Sequence, residues 1–253
     1  MLSAWREQVK SESHWQAHSY EGYKAVAVDL TGFFRPRLRG WLGQAYNGLL
    51  GKASRGVSFG MIAEIGSIDQ QRLALPRKLL RSKNEANCEK ALKTTVLNWL
   101  AKHLQKNEVA ILDAGFNLVE LQSAGVAQFV VRQASNCTAR RNYLAAYKGR
   151  GARPKYGELI RPLARTHKGH SLSARQPDET TSFVLEGRSI HVHRWHELVR
   201  SDQNVSQNHP TFSLRVFFDP VYQQPLVLAV DLPLKLSQCF CFTVRGGLSS
   251  SSL

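Results

Sequence analysis

The chain has 253 residues, 43% of them hydrophobic and 21% charged, enough length and apolar content to bury one large core or two modest ones. Its net charge of +15 and pI near 10 favour a polyanionic partner, nucleic acid before any other. No apolar run approaches the roughly 18 residues of a membrane span, and the N-terminus MLSAWREQVK lacks the apolar core of a signal peptide. The expectation is therefore a soluble, cytoplasmic protein that engages no membrane. Cys88, Cys137, Cys239 and Cys241 form no CxxC pair and read as thiols in a reducing compartment.

Residues 1–20, polar with spaced aromatics, read as an N-terminal arm or helix. The stretch AVAVDLT at 25–31 reads as a buried strand that ends on Asp29. It runs into TGFFRPRLRGW, where Phe33, Phe34 and Trp41 alternate with Arg35, Arg37 and Arg39. Two readings stand side by side: a surface that stacks bases and contacts phosphate, or a loop whose aromatics plug the core. Residues 57–68 and 71–80 continue as antiparallel strands, with Pro76 marking an edge. Over 85–106 the period changes: Leu92, Val96, Trp99, Leu100 and Leu104 recur at three- and four-residue steps, as on an amphipathic helix. His103 beside this stripe reads as a packing or surface residue.

The run Val109–Leu112 is a strand buried on both faces, and it ends in Asp113 and a small Ala-Gly turn. A short helix, NLVELQSAG, and the strand AQFVVR follow. The order of three strands, a helix, an acid-bearing strand, a helix and a strand is that of a ribonuclease-H-like α/β core. Its first and fourth strands lie side by side, which would bring Asp29 and Asp113 together as a divalent-metal site acting on phosphate.

Residues 132–168 hold ten cations, Arg132, Arg140, Arg141, Lys148, Arg150, Arg153, Lys155, Arg161, Arg165 and Lys168, against the single acid Glu158. Gly149, Gly151 and Gly157 keep the middle pliant, and Tyr143, Tyr147 and Tyr156 add flat faces. Backbone phosphate contact needs clustered charge of this kind, and the one-sidedness favours nucleic acid over a solvated face. From 181 onward short strands predict a β-rich insertion. His191, His193 and His196 raise zinc, but no fourth ligand or HExxH helix accompanies them. Asp219 and Asp231 read as structural turn residues.

With AVDLTGFFRPRL, ILDAGF, FVVRQASNCTARRN (129–142), YKGRGARPKYGELIRPLARTHKG (147–169) and FDPVYQQPLVLAVDLPL (218–234) in view, the chain resembles insertion-sequence transposases of the acidic-triad (DDE) type. The subgroup is the one with a β-rich insertion between the second and third acids. The resemblance implies a ribonuclease-H-like mixed-sheet core that cuts and joins DNA at transposon ends using two Mg²⁺ ions, in a bacterial, nucleoid-associated protein. Asp29 and Asp113 match the first two metal-binding catalytic positions. The implied partners are DNA, both transposon ends and target, and either a second copy or a full-length transposase. The implied domains are an arm (1–20), a core with the first two acids (21–135), a basic segment with the β-rich insertion (136–235) and an aberrant tail (236–253).

The family's third acid is a glutamate within Y-R-x-x-W-x-x-E-Q, and the tail SQCFCFTVRGGLSSSSL holds no acid. Permitted codons for Phe242–Leu253, read from the third base, spell Tyr-Arg-Glu-Gly-Trp-Pro-Val-Glu-Gln-Leu-Pro, which matches that motif. The expectation is a frame slip near 235–241 that leaves Asp29 and Asp113 without their third partner, exposes apolar sheet surface and abolishes strand transfer. A chain that opens so close to its first acid also suggests shortening at the N-terminus, where relatives carry end-recognition sequence. Two other classes compete: a non-catalytic DNA-binding product that regulates a full-length transposase, and an unrelated ribonuclease-H-like nuclease.

Overall fold

A computed structural model describes residues 2–20, 22–147, 149, 151–235, 237 and 239–240. The elements run α1 (Leu2–Glu12), β1 (Gln16–Ala17), β2 (Ser19–Tyr20), β3 (Tyr23–Phe34), β4 (Gln44–Asn47), β5 (Lys52–Ile68), β6 (Gln71–Arg81), α2 (Cys88–His103), β7 (Glu108–Leu112) and α3 (Leu118–Ser123). They continue as β8 (Phe129–Gln133), β9 (Ala139–Arg141), β10 (Leu159–Ile160), β11 (Arg165–His167), β12 (His170–Leu172), β13 (Glu179–Leu185), β14 (Arg188–Arg200), β15 (Phe212–Phe218) and β16 (Leu226–Val230). The protein is thus mixed α/β, mostly strand with few helices.

Among the described residues one large mixed sheet dominates. Its central order is β5-β3-β7-β8-β16-β15-β14-β9-β10, with β6 on the far side of β5. Strand β3 is antiparallel to β5 but parallel to β7, and β7 is parallel to β8. All five residues of β7 are buried, as its unbroken apolar run requires. The strands of the expected β-rich insertion extend this same sheet: β16 pairs with β8, then β15 and β14 follow. A single apolar cluster joins Val28, Leu112 and Val131 to Val227, Leu214 and Trp195.

Successive side chains on a strand point to opposite faces. One face carries Val26, Val28, Ile62, Leu112 and Val131 and is covered by Leu92, Val96, Leu97 and Leu100 of α2 and Leu121 of α3. Trp99 and Leu104 pack at the margin of that cluster. His103 stacks on Trp99 with ring centroids 4.2 Å apart, a packing role. The other face carries Ala25, Ile111, Val130, Leu228 and Phe217, and Leu234, Cys239 and Phe240 close over its β14–β16 half. Toward the carboxyl end of β3 the same face carries exposed apolar side chains, Phe33 at 53% and Leu79 at 57%. Residues 241–253, where the neighbouring-frame motif lies, are outside the described residues.

Three buried polar contacts tie the layers together. Arg215, wholly buried, donates to the Leu234 carbonyl (2.8 Å) and to Cys239 Sγ (2.7 Å), which fastens the segment after β16 against the sheet. Half-buried Asp231 accepts from the backbone N–H groups of Gln128 (2.8 Å) and Phe129 (2.6 Å), so β16 and the start of β8 are locked in register. Burial raises its pKa to about 6 although both N–H groups favour the anion. At the opposite end of β3 and β7, buried Glu64 and Glu108 share the Arg77 guanidinium, and Lys10 of α1 reaches Glu64 at 2.8 Å.

Burial works to raise the Glu64 and Glu108 pKa values, but Lys10 and Arg77 beside the first, and Arg77 and the Gln105 N–H beside the second, bring both below the ordinary 4.5. A depressed folded pKa contributes stability above that ordinary value and loses it as pH falls through the folded one. Arg77→Met should therefore cost about 3–5 kcal/mol in urea unfolding at pH 7 by leaving buried carboxylates uncompensated. The gap from wild type should narrow as pH drops below 4.5. Asp231 has the opposite sign: its contribution is complete below 3.8 and lost as pH rises through about 6. Asp231→Ala should destabilise by about 1–3 kcal/mol because two backbone donors lose their acceptor. Asp231→Asn should be better tolerated at pH 8 than at pH 5, measured by thermal unfolding.

Candidate functional site

The parallel ladder between β3 and β7 pairs Ala27 with Ile111 and Val28 with Leu112. One residue further along each chain stand Asp29 and Asp113, both on the sheet face that carries Ala25, Ile111 and Val130. The same register carries on to β8, where Leu112 pairs with Val131. Arg132 is next, exposed, and on the Asp113 face because it lies opposite Leu228 of β16. Asp29, Asp113 and Arg132 thus form a row across three adjacent strands, with neighbouring strands about 4.8 Å apart. Strand β3 does not end on Asp29 as the sequence suggested but runs on to Phe34, held by its pairing with β5.

The backbone fixes both carboxylates. Asp29 Oδ1 accepts from the Leu30 N–H at 2.8 Å, and Asp113 Oδ1 from the Gly115 N–H at 3.0 Å. A Cβ at residue 115 would stand 3.0 Å from Asp113 Oδ1, so the Ala-Gly turn is shaped around that carboxylate. Lys93, on α2, holds the turn from behind through the Gly115 carbonyl at 2.8 Å. The capping box of Asn117 and Glu120 then starts α3. Among the described residues no cation is paired with either acid, and no third His, Cys, Asp or Glu joins them in a cluster.

Burial raises the pKa of Asp29, and the Asp113 charge raises it further against the Leu30 N–H. Like charges on neighbouring strands repel, and a cation placed between them would relieve that repulsion.

The other expected phosphate contacts are scattered. Arg140 stacks on Tyr156 (4.9 Å) and donates to the Ser201 and Gly157 carbonyls. Arg141 is only 7% exposed and makes a bidentate pair with Asp178, which, as its main influence, raises its pKa, so its guanidinium is committed inside the fold. Arg161 and Arg165 are half-buried and donate to the Ser173 and Asn136 carbonyls. Lys155, Lys168 and Arg153 are exposed, the last over the Tyr147 ring at 5.7 Å. Lys148 and Arg150 lie outside the described residues. From β7 to β9, where this segment is rooted, there are five strand spacings, about 24 Å along the sheet. Of the ten, Arg132 is the one among the described residues that strand register places beside the acids.

His191, His193 and His196 gather no metal cluster among the described residues. His193 packs against Phe218 at 4.9 Å, and His196 sits 3.5 Å from Glu179. Asp219 accepts from the Val221 N–H at 3.0 Å in its turn, and Arg188 approaches it at 3.7 Å.

Comparison with family models, with curated proteins and with solved structures found no match. The site therefore rests on its own geometry.

Two features went unread in the sequence. Lys93 carried no signal beyond being a helix lysine. The hairpin formed by β4 and β5 was marked by Asn47-Gly48 and Gly51-Lys52, turn signals that bracket Leu49-Leu50.

A raised folded pKa means that the ionised Asp29 costs stability at neutral pH, a cost absent below 3.8 where the group is protonated in both states. Asp29→Asn or Asp113→Asn should raise the thermal midpoint at pH 7 and leave it unchanged at pH 3. Mn²⁺ should raise the wild-type midpoint at pH 7 and move neither variant.

Proposed function

We propose that this chain is a transposase-type DNA-processing protein with a ribonuclease-H-like core, and that the product of this sequence lacks the strand-transfer activity of its type. The observation that carries the reading is the pair Asp29 and Asp113 at one level of two adjacent parallel strands, within the order β6-β5-β3-β7-β8. That order and those directions, with α2 and α3 on one face, support the ribonuclease-H-like reading.

Asp29 and Asp113 would hold one Mg²⁺, which when bound supplies Lewis-acid stabilisation of charge on a phosphoryl oxygen. The chain's own contribution is positional. Backbone N–H groups orient both carboxylates, Lys93 steadies the turn, and Arg132 presents a cation to a phosphate lying over the row. A two-ion site needs a further carboxylate, and no acid follows Asp231 in these 253 residues. Permitted codons for residues 242–253 allow the neighbouring frame a glutamate in the family's motif, which is compatible with a slipped frame. DNA binding, by contrast, draws on the charge of +15 and on exposed cations such as Arg132, Arg153, Lys155 and Lys168.

Binding and cleavage should therefore separate. The purified protein should bind duplex DNA with steep salt dependence and no need for metal, and Asp29→Asn should leave that affinity unchanged. It should not nick DNA in Mg²⁺ or Mn²⁺. A chain carried into the neighbouring frame from residue 242 should recover metal-dependent cleavage, and Asp29→Asn should abolish it there. Cleavage by the chain as it stands would overturn the assignment of inactivity. Loss of DNA binding in Asp29→Asn would overturn the separation.

A further inference from the structure

We propose that the hairpin formed by β4 and β5 is a DNA-engaging arm that inserts Leu49 and Leu50 between bases at a distance from the acid row, a role that rests on the DNA-binding reading above. Strand β5 outruns its partner: Gly56 still pairs with Phe34, and the chain continues to Lys52 paired with Asn47. The hairpin thus projects beyond the Asp29 end of β3. From Met61, the residue opposite Asp29, to Lys52 is nine residues, about 30 Å of strand and close to nine base-pair steps.

The tip is apolar and open to solvent, with Leu49 98% and Leu50 53% exposed. It is also held in shape: Asn47 Oδ1 accepts from the Leu49 N–H at 3.0 Å, and Gly51 turns the chain at φ +62°. The base of the arm is braced on the start of α2. The Tyr46 N–H donates to Glu89 Oε2 (3.0 Å), the Leu42 N–H to Asn84 Oδ1 (2.6 Å) and Trp41 Nε1 to the Gly56 carbonyl (2.7 Å). Two exposed leucines on a braced turn have no structural use that a polar turn would not serve better.

Charge identifies the occupant. Residues 33–55 carry Arg35, Arg37, Arg39, Lys52 and Arg55 and no acid, and all five are exposed. A second copy of this chain would bring like charge to the tip. Apolar wedges flanked by arginine and lysine are how proteins unstack a base step while holding the adjoining phosphates. Phe33, on the same strand and face as Asp29 and four residues on, with Arg35 stacked 4.5 Å over its ring, adds an aromatic on the path between tip and acids. An anionic membrane would also take a basic apolar tip, but the acid row at the same end of the sheet favours nucleic acid.

The test uses the full chain and a mixed-sequence duplex carrying 2-aminopurine. Wild type should raise its fluorescence on binding, and Leu49→Ser/Leu50→Ser should abolish that rise. The same variant should weaken affinity roughly tenfold, the scale of losing one inserted leucine, at an unchanged salt slope. Arg37→Gln/Arg39→Gln should instead flatten the slope by about two phosphates' worth. Binding with the fluorescence rise intact in the leucine variant overturns the insertion alone. Absence of any DNA binding overturns the parent reading with it. Leucine-dependent binding to phosphatidylserine vesicles without 2-aminopurine unstacking reassigns the arm to membrane.

Discussion

Strands β3 and β7 lie parallel and in register, although β5, β6 and α2 intervene in the chain, and most of the molecule follows from that pairing. A parallel neighbour cannot be reached by a tight turn, so a long crossover must leave one end of the sheet and return at the other. Here the crossover supplies the antiparallel β5–β6 pair on one side and α2 over one face. It also leaves both carboxyl ends at the same edge, where side chains from neighbouring strands converge. Asp29 and Asp113 meet because Val28 meets Leu112.

The two ends of this strand pair handle charge in opposite ways. At the amino end Glu64 and Glu108 are buried, yet each has Arg77, and Glu64 has Lys10 and Arg6 as well. Further along, Asp29 and Asp113 are more open and, among the described residues, are held by backbone N–H groups and by no cation. Buried acids with cations are a fastening for α1 and β6. Paired acids without such cations are what a bound positive ion would compensate, and the proposed metal site rests on this contrast. Exposed Phe33 and Leu79 on the same face border it.

Much of this was legible in the residues. The unbroken apolar run of β7 gave a strand buried on both faces, and the three- and four-residue steps of α2 gave its buried stripe. Their order placed Asp29 beside Asp113. Charge counting served less well. It could not see that Arg141 pairs with Asp178, because the partner lies far along the chain and meets it only through β9 and β14. Nor could it see Arg215, an arginine in mid-strand whose partners are carbonyls of the segment after β16. The strands after residue 181 looked like a separate insertion because local alternation carries no information about which sheet a strand joins. Asp231, read as a turn residue, proves to pin β16 to β8.

The most direct test of the acid pair is Mn²⁺ binding followed by electron paramagnetic resonance, with no DNA and no turnover. The wild-type chain should hold one ion weakly at pH 7, and Asp29→Asn and Asp113→Asn should each release it. Retention of that ion in both variants, or its absence from the wild type, would contradict the assignment of this pair as a metal site.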